Sequence, residues 1–215
     1  MMTFLPDATI VAAFTAAAVI LILTPGPDMT LFVGETLRAG RSRGFAAMLG
    51  ASAGLIVHTT LAALGLSALL ATSTVAFTVL KIAGVAYLLW LALQAIRHGS
   101  ALTVSTAPVV KRSIPRTFLY GVAINLLNPK IVMFFLTFLP QFVHVGDPHA
   151  SGKLLFLGFY FIALGLPICA VLIMLAERFT ARMQRSPRIM RAVDWTFAGL
   201  MGAFAARLLF ARGNP

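Results

Sequence analysis

The chain has 215 residues, of which 60% are hydrophobic and 11% are charged, and its mean hydropathy is +0.94. Soluble domains are about 45–50% apolar and about 25% charged, so this composition excludes an ordinary soluble protein and indicates an integral membrane protein. The net charge of +11 does not indicate nucleic-acid binding, because the basic residues cluster at the ends of apolar runs. The single cysteine, Cys169, excludes an intramolecular disulfide and a cysteine-rich metal site.

Six apolar stretches follow one another, and each is long enough to cross a bilayer. They comprise residues of about 8–37, 44–71, 75–96, 116–143, 154–176 and 192–211. Residues 1–7 contain no Lys or Arg, so we interpret the first stretch as a membrane helix rather than a cleaved signal peptide.

The connections between the stretches predict the orientation of the chain. Most basic residues follow the first, third and fifth stretches, whereas the connections after the second and fourth stretches contain only Lys153. Because basic loops stay in the cytoplasm, we expect those three connections to be cytoplasmic and both termini to lie outside.

The sequence further predicts two related halves. The polar connector at about 99–115 separates a first repeat of about 1–98 from a second repeat of about 116–215. Three spans in each half make the halves antiparallel if they share a fold. The first and fourth stretches are each about 28–30 residues long, and prolines interrupt both near the middle, with Pro25 corresponding to Pro129. We therefore predict an all-α polytopic membrane protein: one transmembrane domain over 1–215, with six transmembrane helices in two inverted three-helix repeats and broken first and fourth helices.

The two breaks are the candidate solute site. Proline removes an amide donor and disturbs the preceding helical turn, and the freed backbone groups must be satisfied by protein or by water in a cavity. Discontinuous helices in corresponding positions of two repeats are the best sequence indication of a transporter site. The candidate substrate-binding residues are Pro25, Gly26, Pro27, Asp28, Asn125, Asn128, Pro129 and Lys130.

Asp28 and Lys130 each follow one break, where a charged side chain facing lipid would be costly. They either pair with each other as a structural lock or gate, or bind the ammonium and carboxylate of a zwitterionic solute. Asn125 and Asn128 are expected either to cap freed backbone groups or to bind the solute. Gly26 is expected to allow a close approach of the backbone.

Three other ionisable residues lie near the ends of the apolar stretches. Lys81 either reaches the outer headgroups or lines an exit pathway. Glu35 either pairs with Arg38 or lies on the pathway. Asp194 is expected to cap the last helix.

Two patterns leave other classes of protein open. Gly50–Gly54 fits G-x-S-x-G with His58 nearby, as in an intramembrane serine hydrolase, although small residues at this spacing favour close helix packing. The segment His144–His149 has two histidines and an acid that match a metal site weakly, and a metal-ion exporter would have only Cys169 and His58 inside the membrane. We predict no catalytic residues, no metal ligands and no cofactor, and the missing P-loop indicates that ATP does not drive the protein directly.

Taken together, the two breaks resemble motifs of the lysine/homoserine exporter family (LysE/RhtB). Thr24–Pro27 resembles the PGP signature of that family, and Asn125–Lys130 with the following phenylalanines resembles its NPK segment. The Arg38–Gly44 turn, the glycine-rich second stretch and the segment around Lys81 also resemble the family pattern.

The resemblance implies a multi-pass carrier in the bacterial inner membrane that exports amino acids or close derivatives. It also implies coupling to an ion gradient, most simply by exchange with protons. Other expected partners are the lipid bilayer and, as an open question, further copies of the chain. Export of another small solute or of a metal ion is the alternative function, and a serine hydrolase is a more remote one.

Overall fold

The computed structural model describes residues 5–66, 74–98, 112–144, 147–178, 181 and 186–210, and within these ranges the regular structure is helical with no strand. The all-α prediction is confirmed for this part of the chain. The helices are α1 (Ala8–Leu23), α2 (Pro27–Ala39), α3 (Arg41–Leu61), α4 (Thr74–His98), α5 (Ile114–Leu126), α6 (Pro129–Met133), α7 (Ala150–Met174) and α8 (Pro187–Phe210). A π-helical turn, Ala62–Leu66, extends α3; the π-helical turn Phe134–Phe138 and the 3-10 turn Leu139–Phe142 extend α6.

The predicted breaks are present as two bent helix pairs. The axis bends by 50° between α1 and α2, and by 50° between α5 and the extended α6. Two further described helices, Arg41–Gly65 and Ala150–Met174, are long and apolar enough to cross a membrane, which gives up to four spans if each bent pair counts as one. A multi-pass membrane protein is therefore supported, while six spans in inverted repeats stay a prediction. Most of the predicted connector at about 99–115 lies outside the described residues.

Proline and glycine determine where the helices in the bent pairs begin and end. Both α2 and α6 begin with a proline, Pro27 and Pro129, at the helical position where a missing amide hydrogen removes no helical hydrogen bond. Gly40 joins α2 to α3 at a φ of 90°, a region that glycine adopts without the steric penalty of other residues.

Helices α3 and α5 cross closely because glycines line their contact. A Cβ atom on Gly50 would collide with the Phe118 carbonyl, and one on Gly121 would collide with the backbone of α3. A Cβ atom on Gly54 would lie 2.5 Å from the side-chain oxygen of Asn125. The close-packing interpretation of the Gly50–Gly54 segment is therefore confirmed, and this crossing brings α3 against the end of the broken helix α5.

An aromatic cluster fills the space between α1, the extended α6 and α7. Phe14 is fully buried, and its ring centroid lies 5.2 Å from that of Phe142 in an edge-on arrangement. Phe134, Phe138 and Tyr160 surround the same ring at centroid distances of 6.2 to 6.4 Å. This aromatic cluster packs α1 against the extended α6 and α7.

The prediction that Asp194 caps the last helix is wrong. Helix α8 begins at Pro187, because proline favours the first helical position. Asp194 therefore lies two turns inside the helix, where it is buried.

Candidate functional site

A cavity lies where the two breaks meet. Both bent pairs line it, together with α3 and α7. Three of the predicted binding residues, Asp28, Asn125 and Lys130, line this cavity. The remaining five do not line it but form the breaks themselves: Pro25, Gly26, Pro27, Asn128 and Pro129.

The first break leaves helix α1 with a carbonyl group that lacks its usual donor. In an unbroken helix the Leu21 carbonyl would accept from the amide of Pro25, which has no amide hydrogen. The Lys130 ammonium replaces it, donating to Leu21 O at 3.2 Å and to Thr24 O at 2.9 Å. A cation at the carboxyl end of a helix also interacts favourably with the helix dipole. Lys130, from the second half of the chain, therefore holds the broken end of the first half.

Gly26 makes room for this lysine. A Cβ atom on Gly26 would lie 3.1 Å from Lys130 Nζ and 3.3 Å from Lys130 Cε. The expected close approach at Gly26 is therefore observed, and the approaching group is the Lys130 side chain.

The second break frees a carbonyl in the same way. Pro129 provides no amide hydrogen for the carbonyl of Asn125. That carbonyl accepts from the Asn128 amide at 3.1 Å, and His58 Nε2 lies 3.4 Å from it. Asn128 is buried, and its side-chain oxygen accepts from the Lys130 backbone amide at 3.0 Å, which caps α6. Of the two expectations for Asn128, the structure thus shows helix capping.

These contacts allow the prolines of the two breaks to be compared by their roles. The carbonyl-freeing role makes Pro25 the counterpart of Pro129, as the sequence predicts. The helix-starting role instead makes Pro27 the counterpart of Pro129. Pro129 both frees the Asn125 carbonyl and starts α6, whereas in the first break Pro25 frees the Leu21 carbonyl and Pro27 starts α2.

Asp28 contacts the opposite half of the chain, as Lys130 does. Its Oδ2 accepts a hydrogen bond of 2.8 Å from the Asn125 amide, at the end of α5. Its Oδ1 is buried and has no hydrogen-bond partner among the described residues. The ion pairs within the described part of the chain do not include Asp28 with Lys130. The cavity therefore presents a carboxylate oxygen and an ammonium group that do not neutralise each other by direct contact.

The remaining wall of the cavity is mostly apolar, and sequence reasoning missed it. Its polar side chains are Ser52 and Cys169, and Ser52 donates its hydroxyl hydrogen to Met48 O at 2.9 Å. Its apolar side chains include Met29, Phe32, Met48, Leu55, Phe161 and Leu166. Residues of these types are abundant in every apolar stretch, so no sequence signal distinguishes the ones that face the cavity.

The structure does not bring Ser52 and His58 together as a nucleophile and its base. Ser52 is committed to a carbonyl of its own helix, and His58 stacks on Phe135 with ring centroids 5.5 Å apart. The hydrogen bond between nucleophile and base that a serine hydrolase needs is therefore not formed here.

Glu35 forms an ion pair, but with a different partner from the predicted Arg38. Arg112 Nη1 lies 3.2 Å from Glu35 Oε1, and the Arg112 guanidinium also lies over the Tyr120 ring at 4.1 Å. Arg43 Nε donates to the Arg112 carbonyl at 2.7 Å. The prediction was wrong because it considered only neighbours on one helix, whereas the start of α5 packs against α2. The Glu35–Arg112 ion pair thus links α2 to the residues just before α5.

The loop before α7 is stabilised by an ion pair of its own. Asp147 accepts from the Lys153 ammonium and, at 2.8 Å, from the His149 amide. The hydrogen bond from Lys153 lowers the pKa of Asp147 below its usual value. Among the described residues no group of three His, Cys, Asp or Glu side chains is arranged to hold a metal ion. The Lys81 side chain, predicted as part of a pathway, lies outside the described residues.

Comparison with known proteins agrees with this architecture. A sequence profile of the LysE type translocator family matches residues 19–212. The chain is 30% identical over 200 residues to a protein of Salmonella typhi named homoserine/homoserine lactone efflux protein, covering 93% of this chain and 96% of the relative. It is 31% identical over 194 residues to an uncharacterized membrane protein of Vibrio cholerae, covering 87% and 90% of the two chains. No solved structure matches the chain.

Proposed function

This chain belongs to the LysE type translocator family, and from that premise we propose that it exports amino acids or their close derivatives across the bacterial inner membrane. We further propose that it is a single domain over residues 1–215, with six spans in two inverted repeats and both termini on the outer side. The relative named as a homoserine/homoserine lactone efflux protein supports transport rather than catalysis.

The observation that carries this proposal is the charge arrangement in the cavity between the breaks. Asp28 Oδ1 is buried without a hydrogen-bond partner among the described residues, and the Lys130 ammonium lines the same cavity. An α-amino acid carries an ammonium and a carboxylate on adjacent carbon atoms, so it offers each of these groups a partner of opposite charge.

In the bound state, Asp28 accepts from the substrate ammonium and Lys130 donates to the substrate carboxylate. An ammonium has three donors, and Lys130 uses two of them on Leu21 O and Thr24 O. The third is available for the substrate, while the Asn125 amide keeps Asp28 in position. Binding therefore does not require either side chain to give up its structural contacts.

Transport would proceed by alternating access, with one repeat rocking against the other around this site. The two 50° bends are the proposed hinges. The aromatic cluster around Phe14 is the proposed barrier on the outer side. The Glu35–Arg112 ion pair, which joins α2 to the start of α5, is the proposed latch on the cytoplasmic side.

We propose proton exchange as the source of energy. Ionisable groups inside a membrane commonly mark proton pathways, and Asp28 is the carboxylate at the substrate site. A proton and the substrate ammonium would compete for Asp28, so that a proton entering from outside releases the amino acid there. In Asp28→Asn, exchange of substrate would collapse, and any residual transport would no longer depend on the proton gradient.

The experiment is efflux and counterflow in proteoliposomes preloaded with a panel of labelled amino acids. The wild-type protein is compared with Asp28→Asn, which keeps the shape of the side chain and an oxygen that accepts from Asn125. Asp147→Asn serves as the matched control, because it makes the same chemical change in the outer loop. The proposal is supported if the wild type transports one or a few amino acids and this transport collapses in Asp28→Asn but persists in Asp147→Asn. Equal transport in all three proteins, or none by the wild type, contradicts it.

A further inference from the structure

We infer that the substrate of this transporter is a neutral α-amino acid with an apolar side chain of the aliphatic or thioether type. This inference rests on the proposed function, and it names the class of substrate for the same site. The relative named above as a homoserine/homoserine lactone efflux protein does not suggest this class; the lining of the cavity does.

The charged and amide groups of the cavity are confined to the breaks. Asp28, Asn125 and Lys130 lie at the ends and starts of the broken helices, whereas the walls contributed by α3 and α7 are nearly all apolar. A substrate whose ammonium and carboxylate engage Asp28 and Lys130 must therefore direct its side chain toward α3 and α7. Apolar side chains gain free energy in such surroundings in proportion to the area they bury.

The polar side chains on those walls are poorly suited to a hydroxyl or ammonium on the substrate. Ser52 already donates its hydrogen to Met48 O, so it offers a substrate only its oxygen. Cys169 has a thiol, which is a weak donor and a weak acceptor. A homoserine hydroxyl would thus exchange water for incomplete hydrogen bonding, and a lysine ammonium would lose its hydration without gaining a carboxylate.

The apolar wall is also adaptable. Met29 and Met48 both line the cavity, and methionine has a flexible, polarisable side chain that fits irregular neighbours. We therefore expect leucine, isoleucine and methionine to bind within about tenfold of one another. Discrimination against an added hydroxyl in an apolar pocket reaches about 100-fold, so homoserine and threonine are expected to bind about 10- to 100-fold more weakly.

Lys130 adds a second selectivity. Its position favours a free carboxylate, which a lactone or an ester does not have. Homoserine lactone and leucine methyl ester are therefore expected to compete poorly, although both keep the ammonium that Asp28 would bind.

The test is competition against counterflow of labelled leucine in proteoliposomes. The unlabelled competitors are isoleucine, methionine, homoserine, threonine, lysine, homoserine lactone and leucine methyl ester. Leu55→Asn adds an amide to the apolar wall, and Ile56→Asn places the same amide on the next residue of α3, which does not line the cavity and is 45% exposed. We expect Leu55→Asn to raise the competition by homoserine relative to leucine about tenfold and Ile56→Asn to leave the ratio unchanged.

The outcomes separate the inference from the function on which it rests. The inference is supported if leucine, isoleucine and methionine compete strongly and the hydroxylated, cationic and esterified compounds compete weakly. If homoserine or lysine competes as well as leucine while transport still depends on Asp28, the inference is overturned and the proposed function stands. Transport that carries no amino acid overturns both.

Discussion

Replacing Lys130 by methionine tests the interaction that joins the two halves at the first break. The substitution keeps an unbranched side chain but removes the ammonium that donates to Leu21 O and Thr24 O. Pro25 cannot supply an alternative donor to Leu21 O, because it has no amide hydrogen. The end of α1 would then present two carbonyl groups without their present partner.

The expected loss of stability follows from these two contacts. An unsatisfied buried polar group costs about 1–3 kcal/mol, and removing the desolvated ammonium offsets part of that cost. We therefore expect a net loss of about 2–3 kcal/mol, which corresponds to a decrease in Tm of roughly 5–10 °C for a chain of this size. The cost arises without substrate, so it is independent of the proposed binding role.

The assay is thermal unfolding in detergent, with Lys153→Met as the matched control. Lys153 pairs with Asp147 in the loop before α7. In this variant Asp147 keeps its hydrogen bond from the His149 amide, and no broken helix end loses its donor, so it should lose less stability than Lys130→Met. An unchanged Tm in Lys130→Met, or an equal decrease in both variants, would refute the reasoning that Lys130 replaces the donor that Pro25 cannot provide.

Two further predictions concern the groups around the cavity. Gly54→Ala should displace the Asn125 side chain, whose oxygen would lie 2.5 Å from the added Cβ atom, and should therefore weaken substrate binding about tenfold or more in counterflow. Gly34→Ala is the control, because nothing lies within 4 Å of its added Cβ atom, and it should leave binding unchanged. Equal effects of the two substitutions would contradict the role of Asn125 in the site. Glu35→Gln should release the proposed cytoplasmic latch and increase the rate at which Cys169 in the cavity is alkylated from the inner side; an unchanged rate would argue against the latch.

The breaks were predictable from the sequence because proline acts locally. In a helix each amide donates to the carbonyl four residues earlier. The carbonyls left without a donor, those of Leu21 and Asn125, can therefore be identified from Pro25 and Pro129. The group that replaces the donor is not identifiable, because Lys130 reaches Leu21 only when the two halves pack together.

Interactions between helices limited the remaining predictions. Sequence proximity favoured Arg38 as the partner of Glu35, yet the start of α5 brings Arg112 there instead. The apolar wall of the cavity, including Met48 and Phe161, was missed for the same reason. Hydropathy identifies a membrane helix, but in a helix that is apolar on all sides it does not show which side faces a cavity.

Protection of Cys169 from alkylation tests most directly whether an amino acid binds between the breaks. Cys169 is the only cysteine in the sequence and it lines the cavity, so the rate of its reaction with a maleimide reports on occupancy of this site. We predict that leucine slows the reaction in the wild-type protein and that Asp28→Asn abolishes this protection. An amino acid that the protein demonstrably transports but that leaves the rate unchanged would contradict the placement of the site in this cavity.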